Sequence, residues 1–90
     1  MNAARARMVK SFEVYRHYRG RTGIVRTLHH DLYSGQTWLT EIHEKRSASG
    51  ESLRIETTTA LDDMDRDDRE LYEHRLHHEL AADREAQPLL

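Results

Sequence analysis

The chain predicts an α+β fold: a four-stranded antiparallel β-meander followed by one long C-terminal α-helix. Three observations carry this. Apolar and polar residues alternate with a period of two in four runs between residues 11 and 59. The runs start roughly a dozen residues apart, too close for the crossovers that parallel strands need. After Ala60 the period becomes helical, and acids crowd the point of change.

The elements follow in order. Residues 1–10 are basic and alanine-rich and read as a flexible arm, because isolated helices this short are marginal in water. From Ser11 the first strand sets Phe12, Val14, Arg16 and Tyr18 on one face and Glu13, Tyr15, His17 and Arg19 on the other. Gly20 to Gly23 reads as a turn. A second run carries Ile24, Val25, Thr27 and Leu28 and ends near His30, and Asp31 to Gly35 turns the chain again. The third run, Gln36 to Glu44, sets Trp38, Thr40 and Ile42 against Thr37, Leu39, Glu41 and His43. After a polar loop over 45–50, Leu53, Ile55 and Thr57 alternate with Arg54, Glu56 and Thr58. The β-branched Thr57-Thr58-Thr59 suits a pleated strand better than a helix.

The helix is expected over roughly 64–84, with Leu61, Met64, Leu71, Tyr72, Leu76 and Leu80 as its apolar stripe. Acids at its start satisfy free N–H groups and complement the helix dipole. Pro88 ends any helix, and residues 86–90 read as a frayed tail of a single domain spanning 11–85. The expected core is Phe12, Val14, Tyr18, Ile24, Leu28, Trp38, Ile42, Leu53, Ile55, Leu71, Leu76 and Leu80, with Tyr72 a further candidate.

Ninety residues make one domain with a thin core; such a chain buries about 60–65% of its unfolded surface. Cysteine is absent, which excludes disulfides, thiolate metal sites and a Cys nucleophile, and points to the cytoplasm. No apolar run approaches the ~18 residues of a membrane span, and Met1 to Lys10 has no apolar segment of a signal peptide. A thin core without staples favours oligomerisation, and a homodimer is expected.

Charge is lopsided. Residues 1–26 carry seven Lys/Arg and one acid, and residues 47–90 carry five Lys/Arg and twelve acids, although the net charge is only -2. Two candidate surfaces follow. The acidic one is Asp62, Asp63, Asp65, Asp67, Asp68 and Glu70, a partner-binding surface or simply a well-capped helix start. As a calcium loop it fails: counted from Asp63, the sixth position holds Asp68 instead of glycine and the twelfth His74 instead of glutamate. The basic one is Arg5, Arg7, Arg16, Arg19 and Arg21 with Tyr15, where arginines hold phosphates and an aromatic ring stacks on a base. The other reading of that strand is a solubilised outer face.

Seven histidines stand in the chain. His74 and His78 lie four apart, with Glu70 a turn earlier, and imidazole at that spacing suits zinc, nickel or copper. The spacing lacks the zincin His-Glu-x-x-His pattern, and solvated helix-surface residues are the plainer reading. His29 and His30 precede Asp31, but neighbours in a strand point to opposite faces and cannot share a site. No Ser or Thr is marked as a nucleophile, and Gly20 to Gly23 lacks a phosphate-binding ending. No enzyme and no cofactor is expected.

Residues 15–20, Tyr-Arg-His-Tyr-Arg-Gly, resemble the opening of a small bacterial domain family of unknown function that is similar to SH3-like barrels, and the likeness extends through Val25 and Leu28 to Ser34-Gly35 and Trp38-Leu39. The family's later Trp-Val-Arg-Pro stretch has no counterpart between Leu53 and Thr59. Gly20, Gly23 and Val25 also resemble the KOW motif of ribosomal and transcription-associated barrels. Both resemblances imply a strongly bent small sheet and no functional residue.

The expected function is therefore a non-enzymatic protein-interaction domain, accessory or inhibitory and of the phage or mobile-element type. It would bind a protein partner through its acidic helix. A small nucleic-acid-binding module and a metal-binding domain are the alternatives.

Overall fold

A computed structural model describes residues 8–86. Four strands form one antiparallel sheet in sequence order: β1 (Val9–Arg19), β2 (Thr22–Asp31), β3 (Thr37–Arg46) and β4 (Ser52–Ala60). A 3₁₀ turn (Leu61–Asp63) leads into one helix, α1 (Arg66–Ala86). Among the described residues β1 pairs only with β2 and β4 only with β3, so the sheet they form is open, with two edges. The fold is α+β, as the periodicity predicts. β1 begins two residues inside the stretch read as an arm; residues 1–7 and the tail from 87 onward lie outside the described residues.

Turn chemistry sets the register. Gly20 and Arg21 make a two-residue hairpin between Arg19 and Thr22. Gly20 has φ +60°, and among the described residues no non-glycine residue has positive φ, the pattern of a turn with glycine first. The expected four-residue turn is thus two, and Thr22 and Gly23 already belong to β2. At the next turn the Asp31 carboxylate accepts from the Tyr33 N–H at 2.9 Å, and the Asp31 carbonyl accepts from the Gly35 N–H at 2.8 Å. At the third, Glu51 N–H donates to Ser47 Oγ at 3.1 Å and Gly50 supplies φ +92°.

One departure reorders β1. The pairing with β2 shifts between Glu13 and Tyr15, a β-bulge at Val14. A bulge inserts one residue, so side chains beyond it change face relative to strict alternation. Phe12 therefore shares its face with Tyr15, His17 and Arg19, whereas Arg16 and Tyr18 fall on the other side with Glu13. The expected grouping of Phe12 with Arg16 and Tyr18 is corrected by this one residue.

The helix covers only part of one face. Leu28 of β2 is fully buried against Leu39 of β3 and Leu76 of α1, and Phe12, Val14, Met64, Tyr72 and Leu80 pack around them. Tyr72, Leu76 and Leu80 of α1 recur every four residues, giving the narrow stripe that faces the sheet, and Met64 joins them from the turn before the helix. Leu61, 8% exposed, anchors the 3₁₀ turn. Asp65 caps α1: its carboxylate accepts from the Asp68 N–H at 3.0 Å. At the other end Asp83 pairs with Lys10 of β1 at 3.0 Å, so α1 crosses the sheet from the β4 side to the β1 edge.

The core consequently differs from expectation. Leu39, Leu61 and Met64 were not expected in it. Tyr18, Leu53, Ile55 and Leu71 were, and each is more than half exposed. Trp38 and Ile42 sit half-buried on the face that α1 does not cover. No helix among the described residues is long and apolar enough to cross a membrane.

Candidate interaction surfaces

The acidic surface forms where β4 ends. Leu61 is buried and holds the 3₁₀ turn against the sheet, which leaves Asp62 and Asp63 in solvent. Asp67, Asp68 and Glu70 follow in the first turns of α1, all exposed. Their roles separate. Asp65 is engaged in capping, and Glu70 pairs with Arg66 one turn away at 3.3 Å. Among the described residues, no cation forms an ion pair with Asp62, Asp63, Asp67 or Asp68.

The expected basic surface is divided between two faces. Arg16 lies on the uncovered face, where its Nε donates to Glu13 at 2.9 Å and its guanidinium sits 5.5 Å from the Tyr18 ring. That bond holds the Glu13 carboxyl below its usual range. Tyr15 lies on the helix face, its ring occupied by Arg26 at 4.8 Å. Arg26 in turn is bonded to Glu41, and Glu41 also accepts from His43 Nε2 at 2.7 Å. The bonds from His43 and Arg26 hold Glu41 below the ordinary carboxylate range. Arg19 and Arg21 remain, exposed at the β1–β2 hairpin, with Lys45 and Arg46 beside it in register. Arg5 and Arg7 lie outside the described residues.

This basic hairpin and the acidic corner occupy opposite ends of the sheet. The hairpin is at the Thr22–Lys45 end of the β2–β3 ladder, and the corner follows Ala60, which pairs with Trp38 at the other. The helix does not fold its acids back over Arg19 and Arg21.

The histidines are dispersed. His29 stacks on Trp38, ring centroids 5.4 Å apart, and shares a 2.8 Å hydrogen bond with Ser11 Oγ on the uncovered face. Burial there pushes its pKa down. His30 points to the helix face and bonds Thr37 Oγ1 at 2.7 Å, so the two neighbours are split as strand geometry requires. His74, His78 and Glu70 are exposed on α1, and no three His, Asp or Glu side chains gather as a metal would require among the described residues.

A third surface was missed at the sequence level. Beyond the end of α1's coverage, the helix face of the sheet carries Ile24, Leu53 and Ile55 with His17 and His43, an open and largely apolar trough. Leu53 and Ile55 are 59% and 54% exposed. The alternating pattern marked them as apolar, but nothing local shows that the helix stops short of them. Comparison of the chain with protein-family models, with curated proteins and with solved structures finds no match.

Proposed function

We propose that this chain is a small, non-enzymatic protein-interaction domain of accessory or inhibitory type. It binds a basic partner surface through Asp62, Asp63, Asp67, Asp68 and Glu70, and it works as a homodimer. One observation carries the reading: the acidic corner stays in solvent at the far end of the sheet from Arg19 and Arg21, and among the described residues no cation pairs with its Asp62, Asp63, Asp67 or Asp68. Separated charge of this kind steers a complementary partner and suppresses wrong ones. Asp65 belongs to the helix cap and not to the binding surface. The test is reversal of Asp62, Asp63, Asp67 and Asp68 to Lys, with Asp65 kept. A protein partner captured by the wild-type chain should be lost; retention of its affinity sinks the reading.

A second reading, a nucleic-acid-binding module, is supported by the exposed Arg19 and Arg21 at the hairpin. Anisotropy of labelled single- and double-stranded oligonucleotides separates the two. Binding that weakens steeply with salt and disappears in Arg19→Glu/Arg21→Glu would favour nucleic acid. Under the first reading no binding occurs even at low salt.

A further inference from the structure

The two sheet edges are built differently. β1 carries the Val14 bulge, a device that blunts an edge against pairing. β4 is regular, without bulge, proline or lysine, and its residues are exposed from Ser52 to Thr58. The direction of its free backbone groups follows from the ladder. Arg46 N–H donates to Arg21 of the β1–β2 turn, and Asp31 N–H donates to Gln36, so even-numbered residues of β3 bond toward β2. Hydrogen-bonding direction alternates along a strand, so odd-numbered residues of β3 and β4 bond to each other. Ser47 N–H donating to Glu51 agrees. Ser52, Arg54, Glu56 and Thr58 are left presenting N–H and C=O to the open edge.

We propose that β4 pairs antiparallel with β4 of a second copy, about a two-fold axis that sets Ile55 opposite Ile55 of the partner subunit. This rests on the homodimer reading above and names its interface. The side chains select this register. Antiparallel partners must share a face, so only even register sums are allowed. Centring on Glu56 sets two glutamates opposite each other, and centring on Arg54 sets two arginines opposite. Centring on Ile55 sets Arg54 against Glu56 twice, and Ser52 against Thr58, with every outward N–H and C=O of these residues bonded. Like charges directly opposite are destabilising and opposite charges stabilising, which decides among the three.

The helix face agrees. His17, Ile24, His43 and Ile55 form one cross-strand row in the monomer. The two-fold doubles it, and two half-exposed isoleucines cover one another at the centre of the trough. The result is a continuous eight-stranded sheet, with α1 of both copies on the same face.

The test uses the intact chain. Light scattering on the eluting wild type should give twice the 10.6 kDa of one chain; a monomer at every concentration overturns both the interface and the homodimer reading. The chain has no cysteine, so introduced thiols report the register directly. In this pairing Ile55 and its symmetry mate form a non-hydrogen-bonded pair about 4.5 Å apart at Cα, within disulfide range. Ile55→Cys should cross-link to itself under mild oxidation at least tenfold faster than Leu53→Cys, whose mate lies about 13 Å along the strand. A mixture of Leu53→Cys and Thr57→Cys should cross-link in the hetero combination. A dimer in which Leu53→Cys self-links as fast as Ile55→Cys overturns the interface and leaves the homodimer reading standing. Glu56→Arg should shift the mass to monomer, and Arg54→Glu/Glu56→Arg should restore the dimer. Circular dichroism of each variant checks that the fold is intact.

Discussion

The sheet has two halves made of the same material. In one, Leu28 and Leu39 meet α1 and are closed to solvent; in the other, Ile24, Leu53 and Ile55 have the same strand geometry and comparable apolar character but no cover. The difference lies in the helix. Its apolar stripe runs from Tyr72 to Leu80 and crosses the sheet toward Lys10, so it reaches one end of the strands only. Burial in this protein is decided by where a single amphipathic stripe lands. An apolar residue on a one-layered stretch of sheet has nothing to pack on except another molecule.

Substitution at matched positions in the two halves gives the largest contrast. Leu28→Ala removes a fully buried side chain and should lower unfolding free energy by about 2–5 kcal/mol in a denaturant titration. Leu53→Ala, at 59% exposure, should change it by less than ~0.5 kcal/mol in dilute monomer. Equal losses would mean that the outer half is packed after all. Next in size is Asp65→Ala, which removes the cap that starts the covering helix. It should cost about 1 kcal/mol, and Asp67→Ala, exposed and outside the cap, much less. Thermal melts of the two variants side by side distinguish a capping acid from a binding acid.

The smallest effect concerns the uncovered face. His29 is partly buried beside Trp38, and burial lowers its pKa in the folded state. The unfolded chain then binds protons more readily, so the neutral ring's contribution is complete above the unfolded value, about 6.5, and is lost as pH falls below it through the folded value. Wild type should lose more stability between pH 7 and pH 5.5 than His29→Gln does. Parallel curves would remove His29 as a contributor.

How much of this was legible in the chain varies by residue. Gly20, Gly35 and Gly50 marked all three turns, because positive φ is a local requirement. Gly23 is different: it lies in β2, and an added Cβ would sit 2.3 Å from the Tyr18 ring that covers it. Its need for glycine comes from a cross-strand neighbour and reads locally as turn chemistry. The acids from Asp62 to Glu70 were legible as a group, but only the tertiary structure separates the capping Asp65 from neighbours that make no cap bond. Likewise, alternation along β1 set Phe12 with Arg16 and Tyr18, and only the bulge at Val14 placed Phe12 with Tyr15, His17 and Arg19 instead.

By itself, then, the sequence determined the element types, their order and the antiparallel meander. Those rest on period, turn residues and short links, which act within a few residues of one another. Only the tertiary structure decided which face became the core. Trp38 and Ile42 are as hydrophobic as Leu39, and alternation says merely that they point away from it. The choice was made by the helix, whose narrow stripe could satisfy one face and one half of the sheet. Residues far apart in the chain settled it, and the same economy left β4 and its apolar trough open to solvent.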